Sequence, residues 1–166
     1  MKNTLKILAI VAACVAAVPS FAGYVEPKIR HEPYGEQKVV YQVNENNKHK
    51  FLAVLKNMLN QQAAVGKDWL TLAVVVHGDG IKLLQDAQAE AEPADATQPK
   101  DYQKTLRQRI DLLRKSGVRF LVCNETLKGH DLDWHSLYQV QEADIVPSGV
   151  AEVAYLQQKG YAYLKP

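Results

Sequence analysis

The sequence predicts an α/β fold: an open, mostly parallel sheet of five strands with helices on both faces. Three observations carry this. Strand-type and helix-type segments alternate, five strands in about 130 residues, and right-handed crossovers between them give a mostly parallel sheet. The run Leu70–Val76 is apolar but for Thr71, as a strand buried on both faces requires, which places it centrally. The stretch Gly117–Thr126 begins with a helix-ending glycine, continues as an apolar, partly β-branched strand, and stops at Cys123 before small polar residues.

Residues 1–22 read as a secretory signal peptide. Lys2 and Lys6 make a basic start, and the apolar run Ile7–Val18 follows. Pro19 breaks the run, and Ser20-Phe21-Ala22 sets small residues where a signal peptidase reads, so cleavage is expected after Ala22. A membrane anchor is disfavoured because a span needs about 20 apolar residues. Lipoprotein processing at Val11-Ala12-Ala13-Cys14 is disfavoured because the chain stays apolar beyond Cys14 and leads to the better cleavage site. The expected location is the periplasm. Residues 23–37 are polar, with Pro27, Pro33 and Gly35, and read as an extended arm in which His31 is solvated.

Residues 38–166 are expected to form one domain. Lys38–Asn44 is the first strand, and Asn44–Asn47 supplies helix caps. The following helix sets Phe51, Leu52, Leu55, Met58 and Leu59 on one apolar face, with Met58 as core, and stops near Gly66. The second strand, Leu70–Val76, ends in the turn His77-Gly78-Asp79-Gly80. A short helical piece, Ile81–Ala87, precedes Gln88–Lys100, whose Ala, Glu, Asp and Pro content predicts a mobile excursion. The helix Asp101–Ser116 buries Leu106, Ile110 and Leu113, and Gly117 ends it before the Cys123 strand. Asn124–His130 receives no element, and a short helix is expected around Leu132–Tyr138. Ala143–Val146 is a fourth strand. A last helix, Val150–Lys159, takes Gly149 as cap and Glu152 at its dipole-favoured third position. Tyr161–Leu164 is an edge-type fifth strand.

The 166-residue chain carries 20 basic and 18 acidic residues, and Lys2 and Lys6 leave with the leader. The processed chain of 144 residues therefore holds 18 of each, with no Lys/Arg run. That balance excludes the electrostatic footprint of a nucleic-acid binder. Of two cysteines, Cys14 also leaves, so Cys123 has no internal disulfide partner. Such a thiol is buried and inert, pairs between chains, or reacts.

In a parallel sheet the carboxyl ends of the strands share one edge, where ligands bind. That edge gathers Asn44, His77-Gly78-Asp79-Gly80, Cys123-Asn124-Glu125-Thr126 and Pro147-Ser148-Gly149. Helix N-termini there present free N–H groups that favour a thiolate, making Cys123 a nucleophile or an acceptor of a sulfur atom. His77 is a proton partner or a second positive influence; alternatively it only caps the turn, as Asp79 would. Asn44, Gly78, Asp79, Asn124, Thr126, Ser148 and Gly149 are the ligand-binding candidates, unless the glycines serve backbone conformation alone.

Other chemistries find no support. There is no C-x-x-C, no G-x-G-x-x-G after the first strand and no G-x-S-x-G. His130-Asp131-Leu132-Asp133-Trp134-His135 contains metal-capable side chains at a spacing that matches no standard site, and a solvated loop is expected. Trp69 and Trp134 read as packing residues. No metal and no cofactor are expected.

Three segments carry a family likeness: Val75-Val76-His77-Gly78-Asp79-Gly80-Ile81, Gly117–Leu127, and Val146-Pro147-Ser148-Gly149 running into Val150–Gln157. With the closing Gly160–Pro166 they make the chain, from about Lys38 onward, resemble the DsrE/DsrF-like sulfur-relay family in an exported form. The resemblance implies a flavodoxin-like fold, usually in trimers or hexamers, with sulfur carried as a persulfide on a cysteine at the position of Cys123. A sulfur donor or acceptor protein is then the implied partner. The function expected is periplasmic sulfur handling, as a sulfur carrier or through a sulfurtransferase-like activity. The alternative is a non-catalytic oligomeric module that holds a small ligand or metal in the same strand-end pocket.

Overall fold

The structure, a computed structural model, describes residues 33–89 and 101–165. The expected leader, most of the arm with His31, and nearly all of the 88–100 excursion lie outside the described residues. The elements are β1 (Gln37–Val43), α1 (Lys48–Val65), β2 (Leu70–Val76), α2 (Lys82–Gln88), α3 (Tyr102–Lys115), β3 (Arg119–Cys123), α4 (Asn124–Gly129), β4 (Ile145–Val146), α5 (Gly149–Gln158) and β5 (Ala162–Leu164).

The local reasons are those of the residues. Asn47 starts α1 by accepting the Lys50 N–H at 3.0 Å, and the helix lays Phe51, Leu55 and Met58 into the core. Gly66 and Gly117, both at positive φ, end α1 and the turn after α3. Between those helices, Gln62 and Ser116 satisfy each other through two hydrogen bonds of 2.8 and 3.1 Å.

All five strands are parallel, in the order β4-β3-β2-β1-β5, with β2 in the middle. The chain steps from β1 to β4 in one direction and then returns across the sheet to β5. Right-handed crossovers put the first connections on one face and the last on the other. The cores agree. On one face α1, α2 and α3 cover Tyr41, Val43, Val74, Val76, Phe120 and Val122. On the other, Val153 and Leu156 of α5 cover Val40, Ala73, Val75, Leu121 and Val146. Flavodoxin itself runs 2-1-3-4-5. Here the reversal comes at the last crossover, so the strands whose connections leave to opposite faces are β3 and β4. Their carboxyl ends form the crevice where open α/β sheets bind ligands.

Two expectations are corrected. A helix, α4, follows Cys123 at once, whereas residues 132–138 hold only one 3₁₀ turn, Trp134–Ser136. Leu127 anchors α4 in the core, while Leu132 and Leu137 pack there from non-helical backbone. The cap of α5 is Ser148, whose hydroxyl accepts from the Ala151 N–H at 3.4 Å, and Gly149 is the first helical residue. No helix among the described residues is long and apolar enough to cross a membrane.

Candidate functional site

Register assembles the site. Val76 of β2 pairs with Val122 of β3, so His77 and Cys123 follow on the same rung. Cys123 pairs with Val146 of β4, which brings Pro147, Ser148 and Gly149 alongside. His77 remains extended, at φ −152° and ψ 177°, so strand alternation continues through it. Residues two apart share a face. Gln42 therefore follows Val40, His77 follows Val75, and Cys123 follows Leu121, all on the face that α5 covers.

The start of α5 closes over this row. A Cβ on Gly149 would sit 2.9 Å from the His77 Cβ and 3.1 Å from the Cys123 Cβ. Only a glycine lets the helix backbone come this near, and its N–H reaches the sulfur. Cys123 is 6% exposed. Burial pushes its thiol up, but four donors outweigh that: the Thr126 hydroxyl and the backbone N–H groups of Gly149, Thr126 and Glu125. The net effect holds the thiol below its ordinary value.

Thr126 is itself aimed. Its Oγ1 accepts the Gly78 N–H at 2.9 Å, which leaves the hydroxyl proton for the sulfur. Gly78 can turn that N–H toward α4 because its φ is +52°, and a Cβ there would lie 3.2 Å from the Asn44 carbonyl oxygen.

The Nε2 of His77 lies 2.7 Å from the Nε2 of Gln42, whose Oε1 accepts from the Tyr163 hydroxyl on β5. Burial, and then the Lys165 cation, hold the imidazole below its ordinary pKa. Among the described residues, the hydrogen-bond partner of the ring is Gln42 and not the thiol.

The structure thus brings together Cys123, His77, Gly78, Thr126 and Gly149. Asn124, half-buried, lines an open hollow of about 440 Å³ beside them with Trp134, Glu142, Ile145, Val146 and Pro147. Asn44 reaches the group through its carbonyl. Asp79 points to solvent, ion-paired with Lys82 at 2.8 Å, and that hydrogen bond holds its carboxyl below the usual range. Ser148 is engaged as the α5 cap. Among the described residues no group of three or more His, Cys, Asp or Glu is placed to hold a metal. Sequence reasoning missed Gln42, Tyr163 and the Glu125 N–H. A polar Gln42 directly after the buried run Val39–Tyr41 was the available signal.

Chemically, the arrangement can stabilise a negative charge on sulfur within a mostly enclosed cradle of N–H and O–H donors. Comparison with known proteins agrees with the fold. MTH1491, a protein of unknown function from Methanobacterium thermoautotrophicum, shares 24% identity with a TM-score of 0.61 over 79% of this chain and 100% of its own. The ychN protein from E. coli shares 13% identity with a TM-score of 0.51 over 78% of this chain and 99% of its own. At these identities the likeness is one of fold. No curated protein matches the chain. The profile of the DsrE/DsrF-like family matches residues 37–166, from the first residue of β1 through the donor cradle to β5, and the chain belongs to that family.

Proposed function

We propose that the protein handles sulfur in the periplasm, accepting sulfane sulfur on Cys123 as a persulfide and passing it on. The observation that carries this is the sulfur's four donors, which favour an anion at that atom. Membership of a family generally related to sulfur relay supports it.

In the step proposed, the Cys123 thiolate attacks the outer sulfur of a persulfide or polysulfide. A sulfur–sulfur bond forms at Cys123, the donor's own sulfur–sulfur bond breaks, and the donor leaves as a thiolate or shorter polysulfide. The sulfane sulfur and its charge move together, and no outside oxidant enters. The cradle that holds the thiolate then faces the persulfide anion. A thiol or thiolate of an acceptor protein reverses the step. The leader reading supports export, and the family likeness supports a homo-oligomeric working unit, a trimer or hexamer.

Near-complete burial of Cys123 favours a second reading, in which it packs a non-catalytic ligand-binding module. Intact-mass analysis separates the two. The chain from Gly23 onward, beside its Cys123→Ser variant, is incubated with polysulfide or thiosulfate. Gains of whole sulfur atoms, reversed by reductant and missing from the variant, are expected. No gain, with the thiol inert to alkylation while folded, contradicts the carrier reading.

A further inference from the structure

A row of side chains crosses the site-bearing face from the edge of the sheet to its middle. Tyr163 of β5 stands opposite Val40 of β1, so it shares that face with Gln42, His77 and Cys123. Its hydroxyl donates to Gln42 Oε1, which leaves the Gln42 amide nitrogen toward His77. An amide nitrogen has only protons to give. At 2.7 Å the facing Nε2 of His77 must therefore accept. A proton on that nitrogen would set N–H against N–H.

We infer that Gln42 and Tyr163 are positioning residues that hold His77 as the neutral imidazole protonated at Nδ1, so that it is not the base that takes the Cys123 thiol proton. The lone pair a base would use is occupied by Gln42. The ring is fixed from the other side by Gly149, whose missing side chain lets α5 press on the His77 Cβ and Cγ. Burial, and then the Lys165 cation, disfavour the charged ring, in agreement. The thiol does not require such a base, since its donors are Thr126, Gly149 and Glu125. The tautomer stands on hydrogen bonds alone; its consequence for sulfur transfer rests on the reading above.

The test is long-range ¹⁵N–¹H NMR of the ¹⁵N-histidine-labelled protein at neutral pH, with His77 assigned by its loss in His77→Asn. A pyrrole-type Nδ1 and a pyridine-type Nε2 are expected. Gln42→Glu should reverse the two, because a carboxylate can only accept and draws the proton to Nε2. Tyr163→Phe, a milder change at the sheet edge, should free the amide to rotate and give averaged shifts. A pyrrole-type Nε2 in the unaltered protein, or averaged shifts there, overturns the inference. Sulfur loading of the same samples is scored by mass. Loading without the Nδ1–H tautomer rejects this inference and leaves the sulfur reading standing; the tautomer without loading does the reverse.

Discussion

On one face of the sheet three helices bury Phe51, Leu55, Met58, Leu83, Leu106 and Ile110 against alternate strand residues. On the other, α5 alone sets Val153 and Leu156 over Val40, Ala73, Val75 and Leu121. The first face is apolar to the ends of its strands, through Val43, Val76 and Val122. The second turns polar at those ends, through Gln42, His77 and Cys123. Burial stabilises in proportion to apolar area removed from water, so the first face carries most of the fold's cohesion. The thinner face can hold polar groups at its end because one helix N-terminus closes over them and supplies a donor. Stability and chemistry are thus divided between the two sides of one sheet.

Substitutions should respect that division. Phe120→Ala, on the thick face, should cost about 3–5 kcal/mol in denaturant unfolding. It should leave the pH midpoint of Cys123 alkylation unchanged; a large shift would break the comparison. Gly149→Ala should cost about 1–3 kcal/mol, because the new Cβ would overlap the Cβ atoms of His77 and Cys123. It should also raise the thiol pKa, since α5 must back away with one of the sulfur's donors. Thr126→Val keeps the shape but removes both the hydroxyl donor and the acceptor for Gly78. About 1 kcal/mol of stability should go, and the thiol pKa should rise; Thr126→Ser should restore both.

Stability should also depend on pH through the thin face. The folded thiol lies below its unfolded value. Between the two values the folded form is a thiolate while the unfolded chain keeps the proton. The unfolded state then binds more protons, so stability rises with pH across that window and this contribution is lost as pH falls through the folded pKa. Cys123→Ser should flatten that rise in unfolding curves taken across the window. Lys82→Ala breaks only an exposed pair with Asp79 and should change neither stability nor thiol reactivity measurably.

Much of this was legible in the residues. The run Leu70–Val76, apolar but for Thr71, marks the central strand, and Gly117 and the alternation of segments place Cys123 at a strand end. α4 escaped because Asn124–Gly129 is a single polar turn with one apolar residue, Leu127, too short for a helical period to show. Its role came from tertiary context: β3 hands directly to it, and Leu127 reaches the core. Gly149 reads in the sequence as a helix cap, but its real constraint is two side chains from distant strands. Gln42 and Tyr163, separated by 121 positions, form no motif. Their meeting depends on β5 returning beside β1, which no local pattern encodes.

The most direct test of the cradle is the rate at which a small reagent alkylates Cys123 in the folded chain from Gly23 onward, followed against pH beside Thr126→Val. The cradle predicts a midpoint below that of the same thiol in the unfolded chain, displaced upward in the variant. A midpoint at or above that value, unmoved by Thr126→Val, would contradict a donor-stabilised thiolate at Cys123.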